Sequence, residues 1–241
     1  MIRNYAALRN ALTTLIKNLL TFYQFYDKVY QVLKYLNTCL QIELEDIIKP
    51  YELRRIRWEY GETPVEKQLI ELCSRTFPEE PWNLYEYSDS KIVNTILSND
   101  LSKEGSACFG FFNARSRLIA ACWTFPATPH ILKEELRKEQ GIRKLPMGIA
   151  AKMYGREICY LAGILTDRDH RGNGLGAKLL HTCLIHCQAV GSDMFLLYTY
   201  ATSVMPRQFM EKNGFELLES AIPERRELEF YCVNFKNKGR R

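Results

Sequence analysis

The chain has 241 residues, 46% hydrophobic and 25% charged, a balance that suits one water-soluble globular domain with an appendage and excludes a fibrous or disordered chain. Its net charge is +5, but Arg3, Arg9, Lys17, Lys28 and Lys34 against Asp27 make the start basic, Lys236, Lys238, Arg240 and Arg241 make the tail basic, and 41–235 is left mildly acidic. That distribution argues against a nucleic-acid surface and suits a cationic substrate. No uninterrupted apolar run approaches membrane-span length, the start lacks a signal-peptide core, and the cysteines form no C-x-x-C pair, so the expectation is a reduced, cytoplasmic protein.

Residues 1–49 contain neither Gly nor Pro and repeat apolar residues at spacings of three and four from Tyr5 through Leu8, Leu12 and Leu15 to Leu40. This predicts an N-terminal helical extension with a wide apolar face. A straight helix of about 40 residues runs about 60 Å, longer than a body of the remaining chain is wide. The segment therefore breaks into two helices against the body, reaches a partner such as a second copy in a homodimer, or lies on a membrane surface. Peripheral membrane contact is the least favoured of the three.

Pro50 closes that region. Residues 51–60 read as a first strand, and Thr63-Pro64-Val65-Glu66 is a capping box with Pro at the first helical position. The helix it opens runs to about Arg75, where Phe77-Pro78 breaks it, and a second helix follows over Ser90–Leu101. Ser106–Asn113 and Leu118–Phe125, joined by Ala114-Arg115-Ser116-Arg117, predict a hairpin. Residues 126–155 are less regular, with a charged helical piece over Ile131–Gln140. Glu157–Thr166 reads as a buried strand, Leu175–Val190 as an amphipathic helix, Met194–Ala201 as a strand and Val204–Lys212 as a helix. Gly214-Phe215 follows, and Leu228–Phe235 closes the sheet. Cys183 and Cys187, near His181 and His186, sit one turn apart, but Leu179 and Leu180 share their face, which marks them as small buried hydrophobes rather than metal ligands.

Between the buried strand and the amphipathic helix lies Arg171-Gly172-Asn173-Gly174-Leu175-Gly176. Glycines beside an arginine at a strand-to-helix junction suit a loop whose backbone N–H groups surround phosphate oxygens, aided by the dipole of the helix that follows. The spacing alone arises by chance too often to decide, and a ligand-free glycine turn is the plain alternative.

The context decides. YLAGILTDRDHRGNGLGAKLL resembles the acyl-CoA motif of the GCN5-related N-acyltransferases (GNAT), and RQFMEKNGFELLE resembles that family's second motif, with Phe209, Glu211, Lys212, Gly214 and Phe215 in place. The element order agrees over residues 51–235. The resemblance implies an α/β (α+β) GNAT fold, a mixed sheet of about six to seven strands flanked by helices. It implies a GNAT domain over 50–241, carrying an insertion at 126–155 and a basic tail at 236–241, behind the extension at 1–49. It also implies acetyl-CoA, or a longer acyl-CoA, as donor and an amine, small molecule or peptide, as acceptor.

By the same resemblance, the backbone from Arg171 through Gly172, Asn173, Gly174, Leu175 and Gly176 holds the pyrophosphate. Ile164, Leu165 and Thr166 hydrogen-bond the pantetheine arm, one N–H among them polarising the thioester carbonyl. The strand at 194–201 splays away to leave an acyl slot. Ser203 stands where the family has a pantetheine-binding asparagine, and it serves equally well as a helix cap. Met210 stands where many members carry a tyrosine that protonates the departing thiolate, and Met donates no proton. Expelling a thiol of pKa about 8.5 at pH 7 is mismatched by roughly 2 kcal/mol, whereas deprotonating a lysine-like amine costs roughly 4.6 kcal/mol. Losing the tyrosine therefore leaves catalysis open. Glu157, Tyr160 and Tyr200 are the proton-transfer candidates, although Glu157 is one residue out of register with the family's glutamate, and Tyr198 lies near enough to line the same slot. The expected activity is direct attack by the amine in a ternary complex; the alternative is a CoA-binding sensor or scaffold that has lost catalysis.

Overall fold

The computed structural model describes residues 51–59, 61–79, 84–140, 144–200, 204–221 and 227–235. The N-terminal extension, Ser203 and the basic tail lie outside them. Glu52–Phe112 and Ser116–Arg241 gather into one compact unit.

The elements begin with β1 (Glu52–Ile56), α1 (Pro64–Thr76), a 3₁₀ turn at Tyr85–Ser88 and α2 (Ser90–Leu101). The hairpin β2 (Ala107–Phe112) and β3 (Leu118–Pro126) follows, then α3 (Pro129–Gln140) and α4 (Met147–Met153). The second half holds β4 (Ile158–Thr166), α5 (Leu175–Ala189), β5 (Met194–Tyr200), α6 (Val204–Lys212), β6 (Glu216–Ala221) and β7 (Leu228–Asn234). The seven strands form one mixed sheet in the order β1-β2-β3-β4-β5-β7-β6. Only β4 and β5 run parallel; the other neighbouring pairs are antiparallel.

Local sequence explains most boundaries. The Thr63 hydroxyl accepts from the Glu66 N–H at 3.3 Å, and the Glu66 carboxylate accepts from the Thr63 N–H at 2.9 Å, so α1 starts where the capping box says. Val93, Leu97 and Leu101 put one face of α2 into the core beside Leu69 and Leu72 of α1. In α5, Leu179, Leu180, Cys183 and Cys187 are all fully buried, as a packed apolar face requires. Cys122 of β3 and Cys183 touch there, sulfur to sulfur at 3.0 Å, and burial pushes the Cys122 thiol up.

Alternation along the strands sorts the helices onto two sides. Trp123 and Leu165 pack with α1 and α2. Tyr160 and Leu196 pack with Leu132 and Leu136 of α3 and Ile149 and Met153 of α4 on that same side. Segment 126–155 thus contributes Leu132, Leu136, Ile149 and Met153 to the core. Its shorter helix, α4, is absent from the sequence expectation because its N-terminus has no cap of its own: Glu219 of β6 accepts from the Ile149 N–H at 3.2 Å. Cys122 and Cys159 face the opposite side, where α5 lies. β6 is likewise new; its two glutamates and a bulge at Leu218 hide the strand pattern.

Candidate active site

β4 and β5 pair through Ile158–Met194, Cys159–Phe195 and Tyr160–Leu196, and pairing ends there. Beyond Tyr160 the two strands lead apart. Against β3, Gly163 pairs with Trp123 and Leu161 with Thr124, so Ala162 is an extra residue, a bulge that turns β4 at the same point. Backbone groups alternate sides along a strand, so in Leu161–Thr166 every second residue directs its N–H and C=O away from β3, into the gap β5 has left. The expected splay of 194–201 is present.

The gap opens into a cleft with a cavity volume of about 70 Å³. Tyr160, Tyr198 and Tyr200 line one wall, and Met210 closes it from α6. Tyr160 stacks on Tyr198 with centroids 6.3 Å apart and meets Phe125 at 5.3 Å. Met210 is buried and presents an apolar surface to the cleft. Phe77, Tyr87, Ile96, Asp100 and Trp123 also line it. The Trp123 ring lies on the backbone of Gly163: a methyl there would sit 2.2 Å from it. The ring is held by its Nε1–H, which donates to Asp100 Oδ2 at 2.9 Å. Lys103 donates to Asp100 Oδ1 at 2.9 Å. Burial pushes the Asp100 carboxyl above the usual carboxylate range, with Lys103 working against it.

At the C-terminal end of β4, the chain turns through a 3₁₀ turn at Arg168–His170 into the glycine run and α5. Gly172 has φ +81° and Gly174 φ +72°, conformations that favour glycine, and Gly174 caps α5 with no side chain on the helix N-terminus. A Cβ on Gly172 or Gly174 would meet nothing within 4 Å, and one on Gly176 would meet Phe209 at 3.8 Å and Thr166 Oγ1 at 3.9 Å, ordinary contact distances. Packing therefore does not require the glycine at 176. What the run leaves is bare backbone at a helix N-terminus, beside the end of β4. Asn173 folds back, donating to the His170 carbonyl at 3.1 Å, and Leu175 is buried under the turn.

The Arg171 side chain is held from two directions. Its Nε donates to the Thr166 carbonyl at 3.1 Å and its Nη2 to Glu79 at 2.8 Å, while Asp167 takes Arg75 at 2.7 Å. The guanidinium thus ties the loop to β4 and to the end of α1, leaving the backbone to do any anion binding.

Glu157 lies at the opposite end of the β4–β5 pair from the gap. It precedes β4, is exposed, and joins Asp193 through both backbone groups at the closed end of the β4–β5 pair. It is three steps along the strand, about 10 Å, from Tyr160, the nearest cleft residue on β4, and it does not line the cleft. Ile164 lines the cleft, with Leu165 turned into the core and Thr166 half-buried beside Gly176. Asp100 and Trp123 escaped the sequence reading. The available signal was an acid at a position of α2 that shares its apolar face with Val93, Leu97 and Leu101.

A glycine-rich helix N-terminus follows the end of β4, beside the split of the one parallel strand pair among the described residues. A family model for the acetyltransferase (GNAT) family matches residues 66–215, and the chain belongs to that family, as an N-acetyltransferase-type enzyme. No curated protein matches it by sequence. Among solved structures it resembles the Drosophila melanogaster polyamine N-acetyltransferase that forms N-acetylagmatine, at 16% identity over 76% of this chain and 100% of that one, TM-score 0.55. It also resembles the Escherichia coli ribosomal-protein-S18-alanine N-acetyltransferase, at 15% identity over 78% of this chain and 97% of that one, TM-score 0.51. A third likeness is to the NatC complex bound to Gag peptide and CoA, at 11% identity over 77% of this chain and 99% of that chain, TM-score 0.51. These likenesses show the fold. Among the described residues no helix is long and apolar enough to cross a membrane, and no cluster of His, Cys, Asp and Glu is arranged to hold a metal.

Proposed function

We propose that the chain transfers an acetyl group from acetyl-CoA to an amine by direct attack in a ternary complex. The observation that carries this reading is the continuity of the bare backbone of 172–176 with the split between β4 and β5. The pyrophosphate rests on the loop and the start of α5. The pantetheine arm follows Ile164–Thr166 and takes the place of the missing β5 partner. The thioester carbonyl meets a β4 N–H turned into the gap, which stabilises the oxyanion as the amine adds. Ser203 contributes to the arm's far side.

A cavity of about 70 Å³ supports a two-carbon acyl group over a long chain; an apolar cavity of about 150 Å³ is what holds benzene. The acceptor enters from the side of α1, α2 and α3. Amines are the acceptors of the polyamine and ribosomal-alanine enzymes above, and a mildly acidic body suits a cationic one. Tyr160 and Tyr200 line the path of the reacting atoms, and with Met210 inert the thiolate takes its proton from a tyrosine or water. The domain spans 50–241, works in the cytoplasm, and offers 1–49 as the surface for a second copy or another partner.

The test is thiol release from acyl-CoAs of graded chain length, with agmatine, spermidine and an Ala-initiated peptide as acceptors. The reading expects acetyl-CoA to be used best and rates to fall as the chain lengthens. Silence with every donor and amine, alongside tight CoA binding, would establish the non-catalytic CoA sensor instead.

A further inference from the structure

Asp100 is the one carboxylate among the described residues that line the cleft. The other titratable groups there are the phenols of Tyr87, Tyr160, Tyr198 and Tyr200. A phenol acts as a base only as phenolate, which at pH 7 costs about 4 kcal/mol to form, whereas a carboxylate needs no such preparation. The Asp100 side chain is fixed from two directions, by the Trp123 N–H on Oδ2 and the Lys103 ammonium on Oδ1, at 2.9 Å each. Each oxygen keeps acceptor capacity after these bonds. Lys103 does not neutralise the site by itself, because its ammonium also meets Glu135 of α3 at 3.4 Å. Lys138, on the far side of Glu135 at 3.9 Å, completes the charged groups behind Asp100. The carboxylate and Trp123 share one wall, and Trp123 rests on Gly163 of β4, next to the Ile164 end where the thioester is placed.

We infer that Asp100 receives the acceptor's ammonium group and removes its proton before attack, an assignment that rests on the acyltransferase reading. The ammonium passes one proton to Asp100. The freed nitrogen lone pair forms the C–N bond at the thioester carbonyl, the C–S bond breaks with its electron pair on the CoA sulfur, and a second amine proton ends on that sulfur. The proton on Asp100 returns to solvent, so the sum is amide, CoA thiol and one released proton. Burial favours the task, since a carboxyl raised toward neutrality is a stronger base than an exposed one. The base must be ionised, so activity toward a basic amine rises with pH through the Asp100 pKa and is lost below it.

Asp100→Asn is the discriminating variant, because its amide oxygen still accepts the Trp123 N–H. Thiol release with acetyl-CoA is read with agmatine, spermidine and an Ala-initiated peptide, and with hydroxylamine, which is unprotonated near neutral pH and needs no base. The assignment expects kcat/KM for the best basic amine to fall about 100-fold, the rate with hydroxylamine to stay within about threefold, the KM for acetyl-CoA to hold, and the acid limb of the pH profile to vanish. Equal losses with basic amine and hydroxylamine, or no loss with either, overturn it while leaving the acyltransferase reading intact. A wild-type protein that turns over none of these amines overturns the reading, and the assignment with it.

Discussion

Trp123 and Gly163 form a matched pair. The indole occupies the space a side chain on β4 would fill, and a methyl at 163 would lie 2.2 Å and 2.3 Å from two of its ring carbons. Gly163→Ala must therefore push the ring away from Asp100. Overpacking of this kind costs about 1–3 kcal/mol, read as a lower urea midpoint at unchanged slope. The same change in a Trp123→Phe background is expected to cost much less, because the smaller ring leaves the space open, and a double-mutant cycle measures the difference. Equal costs in the two backgrounds would mean that the ring does not set the cleft floor. The sequence held both residues in plain view but offered no way to pair them, since two helices separate β3 from β4 and the bulge at Ala162 shifts the register between them.

At the scale of elements, the glycine run is held from outside. Arg171 joins the Thr166 carbonyl to Glu79, and Arg75 joins the end of α1 to Asp167, so two ion pairs fix the turn between β4 and α5 against α1. The Arg171 and Glu79 side chains are each about one-third exposed, so their pair contributes little to global stability. Its effect is on loop position. Glu79→Gln is expected to leave thermal stability nearly unchanged and to raise the KM for acetyl-CoA about 2- to 5-fold, the equivalent of up to ~1 kcal/mol, with the amine KM unaltered. An unchanged acetyl-CoA KM would remove the clamp from the account. Elements with their own punctuation were legible: the capping box of α1, the hairpin of β2 and β3, and the apolar face of α5. α4 and β6 were not, because α4 takes its cap from Glu219 on β6, and β6 follows a bulged pattern that only its pairing with β7 explains.

Over the whole molecule, the sheet order makes the site. Every strand neighbour but one is antiparallel, and the single parallel pair, β4 with β5, separates after three residue pairs. The helices then divide the labour: α5 brings its N-terminus to one side of that split, while α2, the turn after it and α3 bring Asp100, Lys103 and Glu135 together. The glycine run and its place before α5 were legible because they are written in consecutive residues. The cleft lining was not, because Phe77, Asp100, Trp123 and Tyr160 are far apart in sequence and meet only in the fold. Glu157 illustrates the same limit, since one residue of register and the closed end of a strand pair separate it from the cleft.

The most direct test of this account is a crystal structure of the full chain with acetyl-CoA. The account predicts the pyrophosphate on the N–H groups of 171–176, the pantetheine arm along Ile164–Thr166 in the gap left by β5, and the thioester within the cleft, between Tyr160 and the wall formed by Trp123 and Asp100. Acetyl-CoA bound elsewhere, or its thioester directed out of the β4–β5 split, would contradict it.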